Sequence, residues 1–206
     1  MFNKKLSLSN LRLKTGDIII FRIQLTWFEW LKAFFHEPIT RIGMVIEDPP
    51  GQKPGLYIMT CPYTPNTSKM FYVEVKPIYA DMFYFNTISV RLLHLSDGKK
   101  ENLKRLHEIC MIFRDKDKSI EYTDRHIGPL KRNIFGGGPP KDWNACFIAS
   151  LFSELDILRG RKIRDFTLDH FATSINQFTR TTTNQIELKF ANLSNEITVG
   201  QKRFYV

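Results

Sequence analysis

The sequence has few cysteines and no cluster of metal-ligating residues, and each of these absences excludes a class of protein. The three cysteines, Cys61, Cys110 and Cys146, show no CxxC spacing. Neither a disulfide framework nor a zinc site is therefore expected, and reduced thiols are the default. The five histidines are His36, His94, His107, His126 and His170. None pairs with another His, a Cys or a carboxylate at ligand spacing, so we expect no metal and no cofactor.

The sequence also lacks a long uninterrupted apolar run. Its most apolar early stretch, "IIIFRIQLTWFEWLKAFF", is broken by the polar residues Arg22, Gln24, Glu29 and Lys32, so it is a poor candidate for a membrane span. The opening "MFNKKLSLSNLRLK" has neither the apolar core nor the small-residue cleavage site of a signal peptide. We expect a protein that is not secreted and has no transmembrane segment.

Acidic residues are outnumbered by basic ones. Lys and Arg number 30 against 21 Asp and Glu, which gives a formal charge of +9 and a pI of about 9.5. Such a charge favours an acidic partner, and nucleic acid, anionic lipid and an acidic protein surface all qualify. Most basic residues are scattered along the chain. Only "RGRKIRD" is dense enough to predict a binding patch, which would consist of Arg159, Arg161, Lys162 and Arg164.

The length of 206 residues favours one domain with elaborations. Apolar or alternating runs predict strands that follow one another with turn-sized gaps, as in an antiparallel sheet. These runs are "LKTGDIIIFRI", "TRIGMVIED", "LYIMTC", "FYVEVKPI" and "TISVRLLHL". The turn "PPGQKPG" joins the second and third runs into a hairpin.

Helical spacing of apolar residues is found mainly in the second half of the chain. It predicts helices over "TWFEWLKAFF", "KKENLKRLHEICMIFRD", "NACFIASLFSELDIL" and "DFTLDHFATSINQF". After the last of these helices, "IELKFANL" can form an edge strand. The glycine-rich "GPLKRNIFGGGPPKDW" is predicted to be a loop, because its prolines remove the amide donors that a phosphate loop needs. The predicted fold class is α+β.

Cys146 has two interpretations. A thiol near a helix N-terminus can be a nucleophile, because that position lowers the thiol pKa. A free cysteine in an apolar helix is more often a small core residue.

In order and spacing, these segments resemble the circularly permuted NlpC/P60 branch of the papain-like superfamily, including versions encoded by poxviruses and other large DNA viruses. The matching elements are "LKTGDIIIF", "TRIGMVIE", "LYIMTC", "VEVKPI" and "WNACFIASLFSELDIL". The resemblance runs from about Leu13 to Leu158 and implies a papain-like antiparallel sheet or small barrel packed against helices. It implies a domain over residues 1–160, with 161–206 as a helical or edge-strand extension packed on that domain or on a neighbour.

The resemblance also implies a catalytic cysteine, a histidine base and a polar orienting residue, and this chain has none of them at the matching positions. Asn144 takes the place of the cysteine, Arg41 that of the histidine and Met59 that of the orienting residue. Arginine only donates hydrogen bonds, so it cannot accept a proton from a thiol. A register with Cys146 as the nucleophile would rotate the apolar face of its helix away from the sheet.

The resemblance therefore implies a catalytically inactive protein that serves as a structural or protein-binding component. The expected setting is a large DNA virus particle or the host cytoplasm, with capsid or other virion proteins as partners. A residual cleft at Arg41, Trp143 and Asn144 would contribute to binding. The alternative is an active cysteine hydrolase or acyltransferase for amide or lipid ester bonds, using Cys146 with His36 or His126.

Overall fold

A six-stranded antiparallel sheet is the central element of the structure. The computed structural model describes residues 11–22, 39–61, 73–80, 87–113, 115–127, 142–175, 182–183 and 186–199. Its strands are β1 Ile18–Arg22, β2 Ile39–Glu47, β3 Leu56–Thr60, β4 Glu74–Pro77, β5 Thr87–Arg91, β6 Leu93–Leu95, β7 Ser174–Ile175, β8 Thr182–Thr183, β9 Ala191–Leu193 and β10 Ile197–Val199. The sheet has the order β10-β5-β1-β2-β3-β4. β6 pairs with β9, and β7 with β8.

Both faces of the sheet are buried, which explains the unbroken apolar run of β1. Ile18 and Ile20 join the cluster that contains the helices, whereas Ile19 and Phe21 join a second cluster on the other face. Strands buried on both sides read as continuous rather than alternating hydrophobic runs. β2 has a glycine, Gly43, where a larger residue would not fit, because a Cβ there would lie 2.2 Å from a side-chain carbon of Ile58.

Three helices pack against one face of the sheet or beside it. They are α1 Lys104–Ile112, α2 Lys116–His126 and α3 Trp143–Glu154. A 3-10 helix, Asp97–Leu103, precedes α1. The central helix is α3: all of its residues from Trp143 to Phe152 are buried, and it packs on β2 and β3. The α+β class with an antiparallel sheet is thus confirmed.

The C-terminal part of the chain corrects one prediction. Over the described part of "DFTLDHFATSINQF" there is no α-helix but a 3-10 helix at Leu168–Phe171, followed by β7. The side chains of Thr167 and His170 bond to nearby backbone groups, and such local bonds compete with helix formation. The predicted strand "IELKFANL" is regular only at β9, because Phe190 has a positive φ of 59°.

The described C-terminal residues pack on the same sheet as the rest of the chain. β10 pairs with β5 at one edge. Arg91, only 2% exposed, donates to the carbonyl oxygens of Phe171 at 2.7 Å and Ser194 at 2.8 Å. A buried guanidinium needs such partners, so it fastens this segment to β5.

Other predictions concern smaller elements. The predicted strand "TISVRLLHL" divides at Leu92 into β5 and β6, which belong to different sheets. The predicted helix "TWFEWLKAFF" lies outside the described residues, and so does nearly all of the glycine-rich loop. Within the described ranges, no helix combines the length and apolar character needed to cross a bilayer.

Candidate functional site

Asn144 occupies a gap where β2 and β3 separate, in the first turn of α3. The pairing of the two strands extends only as far as Met44 and Met59. Beyond that pair, the Oδ1 atom of Asn144 accepts a hydrogen bond from the backbone N–H of Ile42 at 2.7 Å. The Nδ2 atom donates to Oγ1 of Thr60 at 2.9 Å, and that hydroxyl donates to the carbonyl oxygen of Ile42 at 2.9 Å. These bonds form a closed ring, which we call the Asn144 ring.

The Asn144 ring takes over the role that strand pairing plays elsewhere in the sheet. Both backbone groups of Ile42 obtain partners, and Asn144 and Thr60 are buried. A carboxamide suits this place because it accepts and donates at the same time. A thiol is a weak hydrogen-bond donor and a weak acceptor, so it would bond poorly to Ile42 and Thr60 at this place. The geometry therefore gives Asn144 a structural role.

Arg41 lies beside the ring in sequence, but its guanidinium is engaged elsewhere. Its Nη2 atom lies 3.2 Å from a carboxylate oxygen of Glu74 on β4. The same oxygen lies 2.7 Å from the Nζ atom of Lys76. Because side chains alternate along a strand, Arg41 belongs to the opposite sheet face from Ile42, which packs against the helices.

Met59 is a core residue rather than a member of the site. It is fully buried, and it pairs across the sheet with Met44 on one side and Val75 on the other. The polar residue that reaches the ring is its neighbour Thr60.

Cys146 is buried beneath the turn that carries Phe166. Its Sγ atom lies 3.6 Å from the carbonyl oxygen of Phe166, and none of its surface is exposed. Burial raises the pKa of the Cys146 thiol to about 12, and the Asp142 carboxylate adds to this shift. The thiol therefore stays protonated at neutral pH, which is the behaviour of a core cysteine rather than of a nucleophile.

His126, one of the two histidines considered as a base for Cys146, is held at the other end of α3. Its Nδ1 atom pairs with Glu154 at 3.0 Å, and its ring stacks on Tyr122. Glu154 follows Cys146 by eight residues, which is about 12 Å along a helix. His126 is thus not placed to act on Cys146.

The other histidines do not supply a base within the described part of the chain. Both ring nitrogens of His170 are occupied, Nδ1 by Thr167 and Nε2 by Arg161. The Nε2 atom of His107 bonds to the carbonyl oxygen of Glu47 at 2.7 Å. No histidine in the described ranges hydrogen-bonds to Cys146, and His36 lies outside these ranges.

The other two cysteines are also buried. Burial raises the thiol pKa of Cys61 and of Cys110 to about 12. Cys110 lines a cavity of about 150 Å³ whose other lining residues are Pro49, Pro50, Gln52, Val73, Val75 and Phe113. Among the described residues, no group of His, Cys, Asp or Glu is arranged to hold a metal ion.

The predicted basic segment is exposed, but the described framework as a whole is almost balanced in charge. Arg159, Arg161, Lys162 and Arg164 are all exposed. The described ranges contain 19 of the 30 Lys and Arg residues and 18 of the 21 Asp and Glu residues. Nearly all of the positive excess therefore belongs to segments outside these ranges.

Three residues of this region were not predicted from the sequence. Asp142 caps α3, where its carboxylate accepts from the backbone N–H of Ala145 at 3.0 Å. Burial raises the pKa of this carboxyl group. An Asp just before an apolar helix is a standard start signal, so it could have been found. The roles of Glu74 and Thr60 could not have been found from the sequence, because they depend on which strands are neighbours in the sheet.

No protein-family model, no curated protein and no solved structure matches the chain. The structure by itself defines an α+β protein with an antiparallel sheet and a buried helix whose N-terminus closes a gap between two strands.

Proposed function

We propose that the chain is a catalytically silent member of the permuted NlpC/P60 papain-like group that acts as a structural or protein-binding component. The observation that carries the proposal is the Asn144 ring. At the position where this group has its nucleophile, the chain has a carboxamide whose hydrogen bonds hold β2, β3 and α3 together.

The two other family positions agree with this proposal. Arg41 pairs with Glu74 and cannot act as a base. Met59 is buried among apolar residues and cannot orient an imidazole. Each position that would carry chemistry thus has a residue with a structural contact, which is what a scaffold retained for binding requires.

The proposed setting is a large DNA virus particle, in which capsid or other virion proteins would be the partners. This part rests on the family resemblance alone. Purification of particles from infected cells, followed by detection of the chain, tests it. Presence of the chain at a constant ratio to the major capsid protein supports the proposal, whereas a chain found only in the particle-free fraction contradicts it.

The papain-like relationship can be tested by restoring the missing groups. We expect the wild-type protein not to react with a thiol-directed acyl probe, because its described cysteines are buried and protonated. If the relationship holds, the double substitution Asn144→Cys with Arg41→His should introduce a thiol that reacts well below the usual cysteine pKa of about 8.5. This result requires the imidazole at position 41 to turn from the Glu74 face of the sheet toward α3. The pH dependence of labelling is the measurement.

Asn192→Cys is the matched control, since Asn192 is exposed on β9, away from the ring. The thiol introduced in this control should react only as the pH approaches the ordinary cysteine pKa of about 8.5. If the double variant folds and labels with the same pH profile as this control, the positions do not form a papain-like site. If wild-type protein labels rapidly in its folded state, the alternative of an active hydrolase using Cys146 gains support instead.

A further inference from the structure

The carboxylate of Glu154 joins three helices at the C-terminal end of α3. The Nε atom of Arg105, on α1, donates to one of its oxygens at 3.1 Å. The Nδ1 atom of His126, the last residue of α2, lies 3.0 Å from the other oxygen. The Glu154 side chain is 13% exposed and so is largely shielded from solvent. We call Arg105, His126 and Glu154 the helix junction.

A neutral His126 satisfies its contact with Glu154. A carboxylate accepts hydrogen bonds, and one nitrogen of a neutral imidazole carries a proton that it can donate. With this proton on Nδ1, the contact forms without any charge on the ring. Arg105 already supplies a positive charge to Glu154 through the other oxygen. A second positive charge on His126 would therefore gain less from Glu154.

The surroundings of His126 also disfavour its charged form. Its ring stacks on Tyr122 with the centroids 4.3 Å apart, and its side chain is 28% exposed. Burial lowers the pKa of His126 below its ordinary value of 6.5; Glu154 opposes this shift, and the charges of Arg125 and Arg105 add to it. Each arginine also pairs with a glutamate on its own helix, Arg105 with Glu108 and Arg125 with Glu121.

Tyr122 has a second feature that weakens the docking of α2. It is 5% exposed, and its ring meets Phe113 edge-on with the centroids 5.1 Å apart. Among the described residues its hydroxyl has no hydrogen-bond partner, and the Ser150 hydroxyl donates instead to the carbonyl oxygen of Phe147 at 2.7 Å. A buried hydroxyl without a partner costs free energy. Docking of α2 is therefore opposed by this group, so that a modest change at the helix junction can release it.

We propose that the helix junction is an acid-sensitive switch, in which protonation of His126 releases the end of α2 from α1 and α3 and uncovers the ring of Tyr122. The switch does not depend on the papain-like relationship. Its direction follows from proton linkage, because a histidine whose pKa is lowered in the docked state takes up its proton on release. Docking of α2 should be strongest above pH 6.5 and should weaken as the pH falls from that value toward the lowered pKa.

Release would change the surface that the molecule presents. Tyr122 packs on Phe113, which in turn meets Phe147 edge-on with the centroids 5.5 Å apart. Opening this aromatic cluster creates an apolar surface in acid that is closed at neutral pH.

The test follows the full chain, labelled with nitrogen-15 and carbon-13, by NMR from neutral pH to roughly pH 5. Titration of the imidazole resonances gives the pKa of His126, which we expect below 6.5. Exchange of the α2 amide protons, corrected for the intrinsic rate at each pH, gives the fraction of time that α2 is released. That fraction should rise up to roughly tenfold for each pH unit below 6.5 until the pKa of His126 is reached. The α3 amides should stay protected, because the release is local.

His126→Asn removes the titratable group and keeps an amide N–H near the position of Nδ1. In this variant the released fraction of α2 should no longer depend on pH. His107→Gln is the matched control, because His107 also lies on a helix but bonds through Nε2 to the carbonyl oxygen of Glu47 at 2.7 Å, outside the helix junction. It should keep the wild-type pH dependence.

Three results would overturn the proposal. A pKa of His126 above 6.5 would mean that acid strengthens the docking of α2. A released fraction that does not change with pH, or that changes equally in wild type and His126→Asn, would remove His126 as the trigger. Loss of protection in α3 together with α2 would make the transition a global unfolding rather than a switch.

Discussion

Two parts of the molecule contain clusters of polar side chains, and the clusters are built in opposite ways. In the Asn144 ring, the side chains are buried, and they bond to one another and to the backbone of Ile42. In the turn at residues 159–170, Arg161 is exposed and contacts the Nε2 atom of His170, whose Nδ1 atom lies 2.9 Å from both the backbone N and the Oγ1 atom of Thr167.

The contrast shows that a position does not reveal its role by residue type alone. Asn144 lies at the position where the resemblance implies a catalytic cysteine, yet its hydrogen bonds join two strands and a helix. Arg161 belongs to a segment that the sequence shows only as charged, yet it contacts a buried histidine of the same turn.

The largest effect is expected from breaking the ring. Asn144→Leu keeps the approximate size of the side chain but leaves the N–H of Ile42 without a partner. It also removes the donor to the Thr60 hydroxyl, which still bonds to the carbonyl oxygen of Ile42. An unsatisfied buried group costs about 1–3 kcal/mol and a lost hydrogen bond about 1 kcal/mol, so the free energy of unfolding should fall by roughly 2–4 kcal/mol. Urea denaturation measures this change.

Asn192→Leu supplies the comparison for that experiment, because it makes the same chemical change at an exposed position. Its effect should stay within about 0.5 kcal/mol. Equal losses in the two variants would mean that the ring contributes nothing beyond the change in side-chain type.

A smaller effect is expected at Arg41. Arg41→Met keeps much of the apolar stem and removes the ion pair with Glu74, whose side chains are 14% and 23% exposed. The loss should be about 1 kcal/mol, because such pairs contribute little and Glu74 retains Lys76. Unfolding at low and high salt checks it, since salt screens the pair and should shrink the difference.

Arg125→Met is the control for Arg41→Met, since its pair with Glu121 is mostly exposed. We expect a change within about 0.5 kcal/mol there. A loss at Arg41 that is insensitive to salt would point to packing of the arginine stem rather than to its charge.

Strong local patterns made part of the fold predictable. The apolar run of β1, the hairpin of β2 and β3 and the buried α3 all follow from their own residues. The helix predicted over "DFTLDHFATSINQF" was wrong because its apolar spacing is also satisfied by a turn that buries Phe166 and Phe171, while Thr167 and His170 bond locally.

The details of both polar clusters could not be predicted for a related reason. The role of Thr60 depends on where β2 and β3 stop pairing, and the ion pair of Arg41 depends on β4 being next to β3. Arg161 and His170 are nine residues apart and meet only because of the turn between them. These are properties of tertiary geometry, which residue spacing does not encode.

The smallest effect is expected at Asp156, an exposed carboxylate that pairs with two lysines. Lys189 and Lys99 bond to its two carboxylate oxygens and lower its pKa from 3.8 to about 2. A depressed pKa stabilises the folded state above pH 3.8, and this contribution is lost as the pH falls through 2. Asp156→Asn should therefore be slightly less stable than wild type at neutral pH, and the stabilities of the two proteins should converge in strong acid.

Thermal unfolding between neutral pH and strong acid measures this difference. The control is Glu101→Gln, which removes one exposed carboxylate elsewhere. A constant difference down to pH 2 would mean that the charge of Asp156 does not carry the effect.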